Sequence, residues 1–496
     1  MSYFSTRGGT VVTASQAILA GLAPNGGLYV PAMFPQVSRQ WIAALAQIPY
    51  AKRAAAVLSL YLEDYTPQQI EEATAAAYSA DRFDDPAIAP MRHLDSNTWL
   101  LELFHGPTLA FKDMALQLLP HLVRDAARKN GEQREISILV ATSGDTGKAA
   151  LEGFRDVPGT SCTVFYPKKG VSAVQQLQMT TTGGSNTRVI AVEGNFDDAQ
   201  TGVKNLFASK EFADRMNASG RVLSSANSIN FGRLVPQVVY YFSAYADLAA
   251  SGAIACGELV NFVVPTGNFG DILAAWYAKN MGLPVHRLIC ASNRNNVLTD
   301  FFDTGIYSTH RVFFRTTSPS MDILVSSNLE RLLYEIADRD GELVSVWMRQ
   351  LKESGSYSIG DQRREELSKT FAAGCADDKQ TAAEIAALYA RTGCVVDTHT
   401  AVAARVLADY RYRTHDQTPA VVVSTASPYK FCADVLAALS GAESVAGLDA
   451  FACADKLEQL TGVPVPPQVR ALRELPVRHT AVCAKDPASM ADAVLA

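Results

Sequence analysis

The chain has no excess of positive charge, because its 44 Lys and Arg residues are outnumbered by 50 Asp and Glu residues. A net charge of −6 offers no basic field to hold a nucleic-acid backbone or an anionic membrane surface. No apolar run approaches the roughly 18 residues that a membrane-spanning helix needs. These absences argue against nucleic-acid and membrane partners and favour a small-molecule partner.

Cysteine pairs at metal-binding spacing are also missing. The eight cysteines are scattered, and the closest two in sequence, Cys375 and Cys394, are too far apart for a zinc knuckle. Scattered thiols are typical of a reducing compartment. The segment from Val11 to Ala23 lacks the clean apolar core of a signal peptide. We therefore expect a cytoplasmic protein, either a monomer or a homodimer, without a metal.

Several familiar catalytic motifs are absent as well. The sequence contains no GxGxxG, HExxH or GxSxG, so dinucleotide-binding, zinc-protease and serine-hydrolase classes lack their usual signatures. The segment TSGDTGKA resembles a phosphate-binding P-loop, but Thr142 replaces its first glycine and Ala149 its final Ser or Thr. A nucleotidase interpretation loses its main support.

The sequence does contain the alternation of short apolar runs and helical patterns that is typical of a parallel α/β sheet. Hydrophobic residues make up 48% and charged residues 19%, which is ordinary globular usage. Short apolar runs, each followed by a Gly, Ser, Thr or Asn cluster and then by a helical pattern, indicate strands buried on both faces. These runs cover Ile136–Thr142, Cys162–Tyr166, Arg188–Val192, Leu259–Pro265, Arg287–Ser292 and Ala420–Ser424. The stretch from about 316 to 391 is helical in pattern and suggests an insertion.

Three polar loops follow predicted strands and open helices. They are ATSGDTGKAA (141–150), PTGNFGD (265–271) and STASPYKF (424–431). In open α/β sheets, ligands bind beyond the carboxyl ends of the strands, and a helix N-terminus offers N–H groups to phosphate or carboxylate. Any one of these loops is equally well explained as a tight connection, but together they indicate anion sites.

A lysine in an apolar setting completes the chemistry. Lys112 follows Leu109, Ala110 and Phe111 in HGPTLAFKDMAL. Such a lysine can simply extend its amine to solvent. An apolar wall would instead favour the neutral amine, which forms a Schiff base with an aldehyde. A reactive lysine together with phosphate-type loops suggests pyridoxal phosphate.

The motifs resemble the threonine synthase family, whose members are pyridoxal-phosphate enzymes of the tryptophan-synthase β-subunit fold type. The resemblance runs nearly end to end. It is carried by STRGG (5–9), GLAPNGGLYVP (21–31), HGPTLAFKD (105–113), SGDTG (143–147), SANSINFGR (225–233), PTGNFGD, SPSMDILVSSNLER (318–331) and DTHTAVA (397–403).

The resemblance implies roles for particular residues. Lys112 would be the Schiff-base lysine and the catalytic proton carrier. Thr425 would face the pyridine nitrogen, and Asp145 would lie near the cofactor's 3-oxygen. The remaining cofactor contacts would come from Gly267, Asn268, Phe269, Gly270 and Asp271, with the phosphate on the GNFG loop, and the substrate carboxylate would bind Thr142, Ser143, Gly144 and Thr146. A β-branched residue at Gly270 would then weaken cofactor retention.

The implied substrate is O-phospho-L-homoserine, which requires a second anion site. Our candidates are Ser228, Asn230 and Arg233, because Arg suits phosphate bidentately and Asn230 lies three positions before it on a helix. The alternative is that Arg233 lies on a solvated helix face. One position departs from the family pattern STAHPxKF, since Ser427 replaces the histidine. We expect that change to be neutral.

The implied fold is α/β, with two doubly wound open-sheet domains and the cofactor between them. We predict an N-terminal α+β segment over residues 1–95, a smaller α/β domain over 96–250, and a larger cofactor-binding domain over 251–496 that contains the helical insertion.

Two other functions stay open. A phospho-lyase would use the same cofactor to convert O-phosphohomoserine or O-phosphothreonine into a 2-oxo acid, and product analysis would separate it from a synthase. A non-catalytic sensor of amino acids or phosphate would be expected to have lost its lysine, whereas Lys112 is present.

Overall fold

The computed structural model describes residues 1–142, 144–168, 171 and 173–496. Strands cover Tyr3–Ser5 (β1), Tyr29–Pro31 (β2), Met91–Asp95 (β3), Thr98–Glu102 (β4), Glu135–Ala141 (β5), Thr160–Pro167 (β6), Thr187–Val192 (β7), Arg221–Ser224 (β8), Val260–Pro265 (β9), Val285–Ser292 (β10), Ile306–Ser308 (β11), Ser356–Ser358 (β12), Phe371–Cys375 (β13), Ala420–Ser424 (β14) and Ala481–Cys483 (β15).

Helices in the first half of the chain cover Ala14–Ala20 (α1), Arg39–Leu45 (α2), Tyr50–Ser59 (α3), Pro67–Ala77 (α4), Lys112–Leu116 (α5), Leu119–Lys129 (α6), Asp145–Phe154 (α7), Ala173–Thr180 (α8), Phe196–Ala208 (α9), Lys210–Ala218 (α10) and Phe231–Ala250 (α11). Those in the second half cover Gly270–Asn280 (α12), Val297–Thr304 (α13), Leu329–Ile336 (α14), Gly341–Ser354 (α15), Asp361–Ser368 (α16), Asp378–Thr392 (α17), Thr398–Thr414 (α18), Cys432–Ser440 (α19), Ala450–Thr461 (α20), Pro467–Ala471 (α21) and Pro487–Leu495 (α22), with short 3₁₀ turns at Pro319–Met321, Pro428–Phe431 and Ala442–Val445.

The larger sheet has six strands in the order β13-β10-β9-β14-β4-β3. Its pairs are parallel except β3 with β4, which is antiparallel. Alternate residues of β14 enter separate cores, Val421 and Val423 on one side and Val422 on the other. Both faces of this sheet are therefore covered, which is why its strands are continuously apolar.

The smaller sheet has five strands, all parallel, in the order β15-β7-β6-β5-β8. Its two faces are also covered, because Ile138 and Val140 of β5 join the main core whereas Leu139 joins a separate cluster. The α/β class with two open-sheet domains is confirmed, and each of the six apolar runs forms a strand.

Two strands cross the domain boundaries drawn from the sequence. β4 follows residue 95 but belongs to the larger sheet, where it pairs with β14. β15 lies near the end of the chain but pairs with β7 in the smaller sheet. The larger sheet thus contains β3 and β4, which precede the smaller sheet in sequence, and the smaller sheet contains β15 from near the end of the chain.

The N-terminal segment combines the β1–β2 antiparallel pair with helices α1 to α4. It packs on α11, a 20-residue helix that is buried along most of its length. The Tyr3 ring contacts the Phe231 ring edge-on with centroids 4.8 Å apart, and its hydroxyl donates to the Tyr61 carbonyl. The segment is therefore an integral part of the main core.

The stretch predicted to be a helical insertion contains α14 to α17, as expected. It also contributes β13, which extends the larger sheet at its edge, and β12, which pairs with β11. None of the helices that the structure describes is long and apolar enough to cross a membrane.

Candidate active site

Lys112 lies where the segment after β4 is paired with the loop after β14. The Phe111 N–H donates to the Thr425 carbonyl at 2.9 Å, and the Ser427 N–H donates to the Leu109 carbonyl at 3.1 Å. Helix α5 begins at Lys112 itself. Backbone hydrogen bonds thus bring Lys112 and Thr425 together, although the sequence places them in separate motifs.

The Lys112 amine is largely buried, with 13% of the side chain exposed, and it lies 3.7 Å from the Asp145 carboxylate. Burial lowers its pKa. Smaller electrostatic effects on this pKa come from Asp145 and Asp113, which raise it, and from Lys430 and Arg233, which lower it. The net effect is in the direction that favours a neutral, nucleophilic amine.

Asp145, the first residue of α7, is the meeting point of four polar side chains. Burial raises the pKa of its carboxyl group, but the nearby Lys430 and Lys112 outweigh burial and hold the pKa well below its usual range. Asp145 is therefore a carboxylate. The Asp145 Oδ1 atom lies 2.9 Å from Lys430 Nζ and 3.2 Å from Gln175 Nε2. The Oδ2 atom lies 3.1 Å from Ser320 Oγ and 3.7 Å from Lys112 Nζ.

The loop before α7 is held by one of its own side chains. Thr142 Oγ1 accepts N–H groups from Gly144 and Gly147 at 2.9 and 3.0 Å. Thr146, in the first turn of α7, is partly exposed. Ser143, predicted from the same motif, lies outside the described residues. These two N–H groups are thus used within the loop, and both the anion at this helix start and the individual substrate contacts stay predictions.

The GNFG loop delivers the chain into α12. Phe269 adopts a left-handed conformation with φ of 64°, and α12 begins at Gly270. The Ser326 hydroxyl donates to the Gly267 carbonyl at 2.7 Å. The backbone and side-chain N–H groups of Asn328 both donate to the Asn268 carbonyl. The loop's carbonyls are thus held by the segment before α14, which leaves its N–H groups and the helix start for a ligand.

Asp271 points to α11, and its contacts there differ from those implied for cofactor binding. The Tyr240 and Tyr241 hydroxyls donate to its Oδ1 at 2.5 and 2.6 Å. Its Oδ2 is buried and has no hydrogen-bond partner among the described residues. Burial raises its pKa to about 6, against the lowering effect of the two tyrosines. Asp271 thereby fixes the start of α12 on α11.

Arg233 lies in the first turn of α11 and is 4% exposed. Its Nη1 donates to the Ala226 carbonyl at 2.5 Å, whereas its Nε is buried without a partner in the described part of the chain. Burial lowers its pKa to about 10, so it stays charged at neutral pH. The interpretation of Arg233 as a solvated surface arginine is wrong.

The other two candidates for the second anion site differ in their environment. Asn230 caps α11: its Oδ1 accepts the Gly232 N–H at 2.8 Å, and its Nδ2 donates to the Ile18 carbonyl at 2.9 Å. Its amide is thus used to hold α11 and the N-terminal segment together. Ser228 lies in the preceding turn and is partly exposed.

Two residues at the site were not singled out from the sequence as site residues. Lys430 contacts Asp145 and also donates to the Thr108 carbonyl at 2.9 Å. Ser320, besides binding Asp145, donates its N–H to His399 Nε2 at 3.1 Å, and His399 Nδ1 lies 2.7 Å from Asp397 Oδ2. Ser320 lies within SPSMDILVSSNLER, a motif that carries the resemblance. Lys430 lies within the polar loop at 424–431, which follows the family pattern STAHPxKF except at Ser427.

Ser427, at the family's usual histidine position, has a local structural role. Its Oγ accepts the Tyr429 N–H at 3.3 Å and caps the 3₁₀ turn that carries Lys430. The side chain is buried. A short hydroxyl residue thus keeps the frame of this loop.

A buried lysine, a carboxylate and two helix starts converge between two doubly wound sheets, an arrangement that defines the class of pyridoxal-phosphate-dependent enzymes. Residues 86–353 match the family described as "Pyridoxal-phosphate dependent enzyme". Residues 2–78 match "Threonine synthase N terminus", and residues 400–494 match "Threonine synthase, C-terminal". The chain belongs to the threonine synthase family.

Curated relatives agree with this membership. "Threonine synthase" of Pseudomonas aeruginosa is 43% identical over 436 residues, which cover 87% of this chain and 89% of that protein. "Threonine synthase-like 1" of Homo sapiens is 42% identical over 86% of this chain. The chain spans 58% of the length of the human protein and of its Macaca fascicularis counterpart.

Solved structures agree as well. The structure of PLP-bound threonine synthase from Brucella melitensis is 39% identical, with a TM-score of 0.88 over 100% of this chain and 98% of that one. Threonine synthase from yeast is 32% identical, also with a TM-score of 0.88 over 100% of this chain and 98% of that one.

Proposed function

We propose that this chain is a threonine synthase that converts O-phospho-L-homoserine and water into L-threonine and phosphate. The observation that carries the proposal is the buried Lys112 amine with its lowered pKa, 3.7 Å from the Asp145 carboxylate, in a chain of the threonine synthase family.

The residues around Lys112 fit pyridoxal phosphate as the cofactor. Lys112 would hold it covalently, and the GNFG loop at the start of α12 would hold its phosphate. A Cβ at Gly267 would lie 2.7 Å from the Ser320 carbonyl oxygen, so this part of the loop has space only for glycine. Thr425 would offer a neutral hydroxyl to the pyridine nitrogen. When bound, the cofactor supplies an electron sink that stabilises negative charge on the substrate's carbon atoms.

The neutral amine of Lys112 suits the proton transfers that this reaction needs. One proton must leave the substrate's Cα and one its Cβ as phosphate leaves from Cγ. A proton must then be delivered to Cγ, which becomes the methyl group, and another to Cα after the hydroxyl group of water has added at Cβ, with the remaining proton going to the released phosphate. A lysine whose pKa is lowered by burial takes up and gives back protons at a lower pH than an exposed lysine does. A hydroxyl at the pyridine nitrogen withdraws less charge than a carboxylate partner would, which fits elimination and replacement better than transamination.

Arg233 supports a phosphate at the second anion site. A buried guanidinium with an unpaired Nε is costly to maintain, and a phosphate would supply the missing acceptor. The loop from 142 to 146 would bind the substrate carboxylate at the start of α7, as the sequence predicts. A cytoplasmic location fits the eight cysteines, all of which are free thiols.

Two measurements test this proposal: the identity of the reaction product and the identity of the lysine to which the cofactor is attached. The purified protein should show visible absorbance, and borohydride reduction followed by peptide mapping should place the cofactor on Lys112. Incubation with O-phosphohomoserine should yield threonine and phosphate in equal amounts, and Lys112→Ala should abolish both absorbance and turnover while the exposed-site control Lys210→Ala keeps them. If 2-oxobutanoate is the main product, the phospho-lyase replaces the synthase, and modification at another lysine contradicts the site.

A further inference from the structure

The site contains a second buried lysine that the proposed reaction does not use. Lys430, in the 3₁₀ turn after β14, has 2% of its side chain exposed. Its amine lies 2.9 Å from Asp145 Oδ1 and 2.9 Å from the Thr108 carbonyl oxygen. The amine donates to the Thr108 carbonyl and forms a salt bridge with the Asp145 carboxylate.

The Asp145 carboxylate is consequently committed to partners other than Lys112. Its Oδ1 binds Lys430, and its Oδ2 accepts the Ser320 hydroxyl at 3.1 Å. Lys112, at 3.7 Å, is beyond hydrogen-bond distance. One buried carboxylate thus stands between two lysines and is hydrogen-bonded to only one.

We propose, on the basis of the threonine synthase function proposed above, that Lys430 is a positioning residue that occupies Asp145 and thereby makes the Lys112 nitrogen harder to protonate. The ion pair of Lys430 with Asp145 is neutral as a unit. A proton added at Lys112 would create a surplus charge in a buried site, where it is poorly solvated.

The other charged groups facing Lys112 fit this role. Besides Asp145 and Lys430 they are Arg233 and Asp113. Asp113 accepts both the N–H and the hydroxyl of Thr108 at 2.8 Å, so it too is engaged by a partner other than Lys112. Burial lowers the pKa of Lys112 most. Of the charged groups, Asp145 and Asp113 raise this pKa, whereas Lys430 and Arg233 lower it.

Loss of Lys430 should therefore release Asp145 to Lys112. In Lys430→Met, the freed Asp145 carboxylate would accept a hydrogen bond from the protonated Lys112 nitrogen and stabilise the positive charge on that nitrogen. The visible absorbance of cofactor bound through Lys112 changes with protonation of that nitrogen. The pH midpoint of this change should rise by about one unit or more, a tenfold increase in proton affinity, and the acid limb of kcat against pH should rise with it.

Matched variants separate this effect from simple structural damage. Lys430→Arg retains the charge and should keep a midpoint close to that of the unmodified protein. Lys430→Met combined with Asp145→Asn removes the freed carboxylate, so the rise should disappear. Lys210→Met removes an exposed lysine and should change nothing.

If Lys430→Met does not fold or retain cofactor, Ser320→Ala provides the second test, because it frees only Oδ2 and should shift the midpoint upward by a smaller amount. An unchanged midpoint in a folded, cofactor-bearing Lys430→Met protein overturns the inference and leaves the proposed function intact. Failure of borohydride reduction to attach cofactor to Lys112 of the unmodified protein overturns both.

Discussion

At the scale of single residues, the buried charges of the site are distinguished by which of their polar atoms have a partner. Asp145 has both oxygens engaged, whereas Arg233 has a buried Nε without a partner in the described chain. A polar atom left unpaired in a protein interior costs free energy unless a ligand binds it. The unpaired Nε is the observation that supports the proposal that Arg233 binds the substrate phosphate.

Arg233→Ala should lower kcat/KM for O-phosphohomoserine by roughly tenfold to a hundredfold, the loss of about 1.5 to 3 kcal/mol expected for a hydrogen bond to a charged group. Cofactor absorbance should not change, since the cofactor phosphate binds elsewhere. Steady-state kinetics checks the prediction, with Arg349→Ala on the exposed face of α15 as the control. An Arg233→Ala protein as efficient as the unmodified one would remove this role.

His105 gives a prediction about pH. Its Nδ1 lies 2.7 Å from Asp84 Oδ1 and its Nε2 lies 3.1 Å from Glu102 Oε2. Burial lowers its pKa, but these two carboxylates outweigh burial and raise the pKa to about 9. Because the unfolded value is about 6.5, the protonated ring stabilises the fold fully below pH 6.5, and this contribution is lost as pH rises through about 9.

Thermal unfolding of the protein and of His105→Gln checks this pH dependence. The difference in Tm between the two should be largest near pH 6 and should shrink toward zero as pH rises through about 9. A difference that stays constant over this range would show that His105 is not protonated in the folded state.

At the scale of elements, the start of α12 shows how a loop acquires a requirement for glycine. The sequence predicts that a β-branched residue at Gly270 weakens cofactor retention. The structure gives the tighter constraint to Gly267, whose Cβ would lie 2.7 Å from the backbone oxygen of Ser320, whereas a Cβ at Gly270 would make an ordinary contact of 3.4 Å with Asn328. The difference arises from the segment packed over the loop.

Gly267→Ala should therefore weaken cofactor retention, because the loop must shift away from the Ser320 backbone. Gly270→Ala should retain cofactor nearly as well as the unmodified protein. Absorbance remaining after extensive dialysis, compared at equal protein concentration, measures retention. The reverse order of the two variants would contradict the account of this loop.

At the scale of the whole molecule, one arginine joins three distant segments. Arg331 is fully buried. Its Nε donates to the Tyr29 carbonyl at 2.9 Å, its Nη2 donates to the Ile229 carbonyl at 2.5 Å, and its Nη1 donates to Asn328. It therefore ties the N-terminal segment to the turn before α11 and to the residue that holds the GNFG loop.

Arg331→Met should lower the free energy of unfolding by more than about 3 kcal/mol, since it leaves two buried acceptors and one partly buried acceptor without this donor. It should also weaken both cofactor retention and substrate binding, because Asn328 and Ile229 adjoin the two predicted phosphate sites. Denaturant unfolding and cofactor absorbance are the measurements. Arg349→Met, at an exposed position of α15, is the control, and equal stability of the two variants would refute the role of Arg331.

The sequence by itself determined the α/β class, six of the strands and the family. Strands buried on both faces are continuously apolar, so the runs from Ile136 to Ser424 were visible without the structure. Short strands left weaker traces: β8 and β15 have only four and three residues, and their pairing is decided by distant neighbours. Lys112 was found because its motif is local.

Only the tertiary structure decided how the site's charges are shared. The contacts of Asp145 with Lys430 and Ser320, and of Arg331 with Tyr29, join residues far apart in the chain. A hydrogen bond between distant segments imposes no periodicity on the sequence, because it needs one suitable atom at one place rather than a repeated pattern. The sequence therefore supplied the groups, and the packing of distant segments against one another determined which group each one contacts.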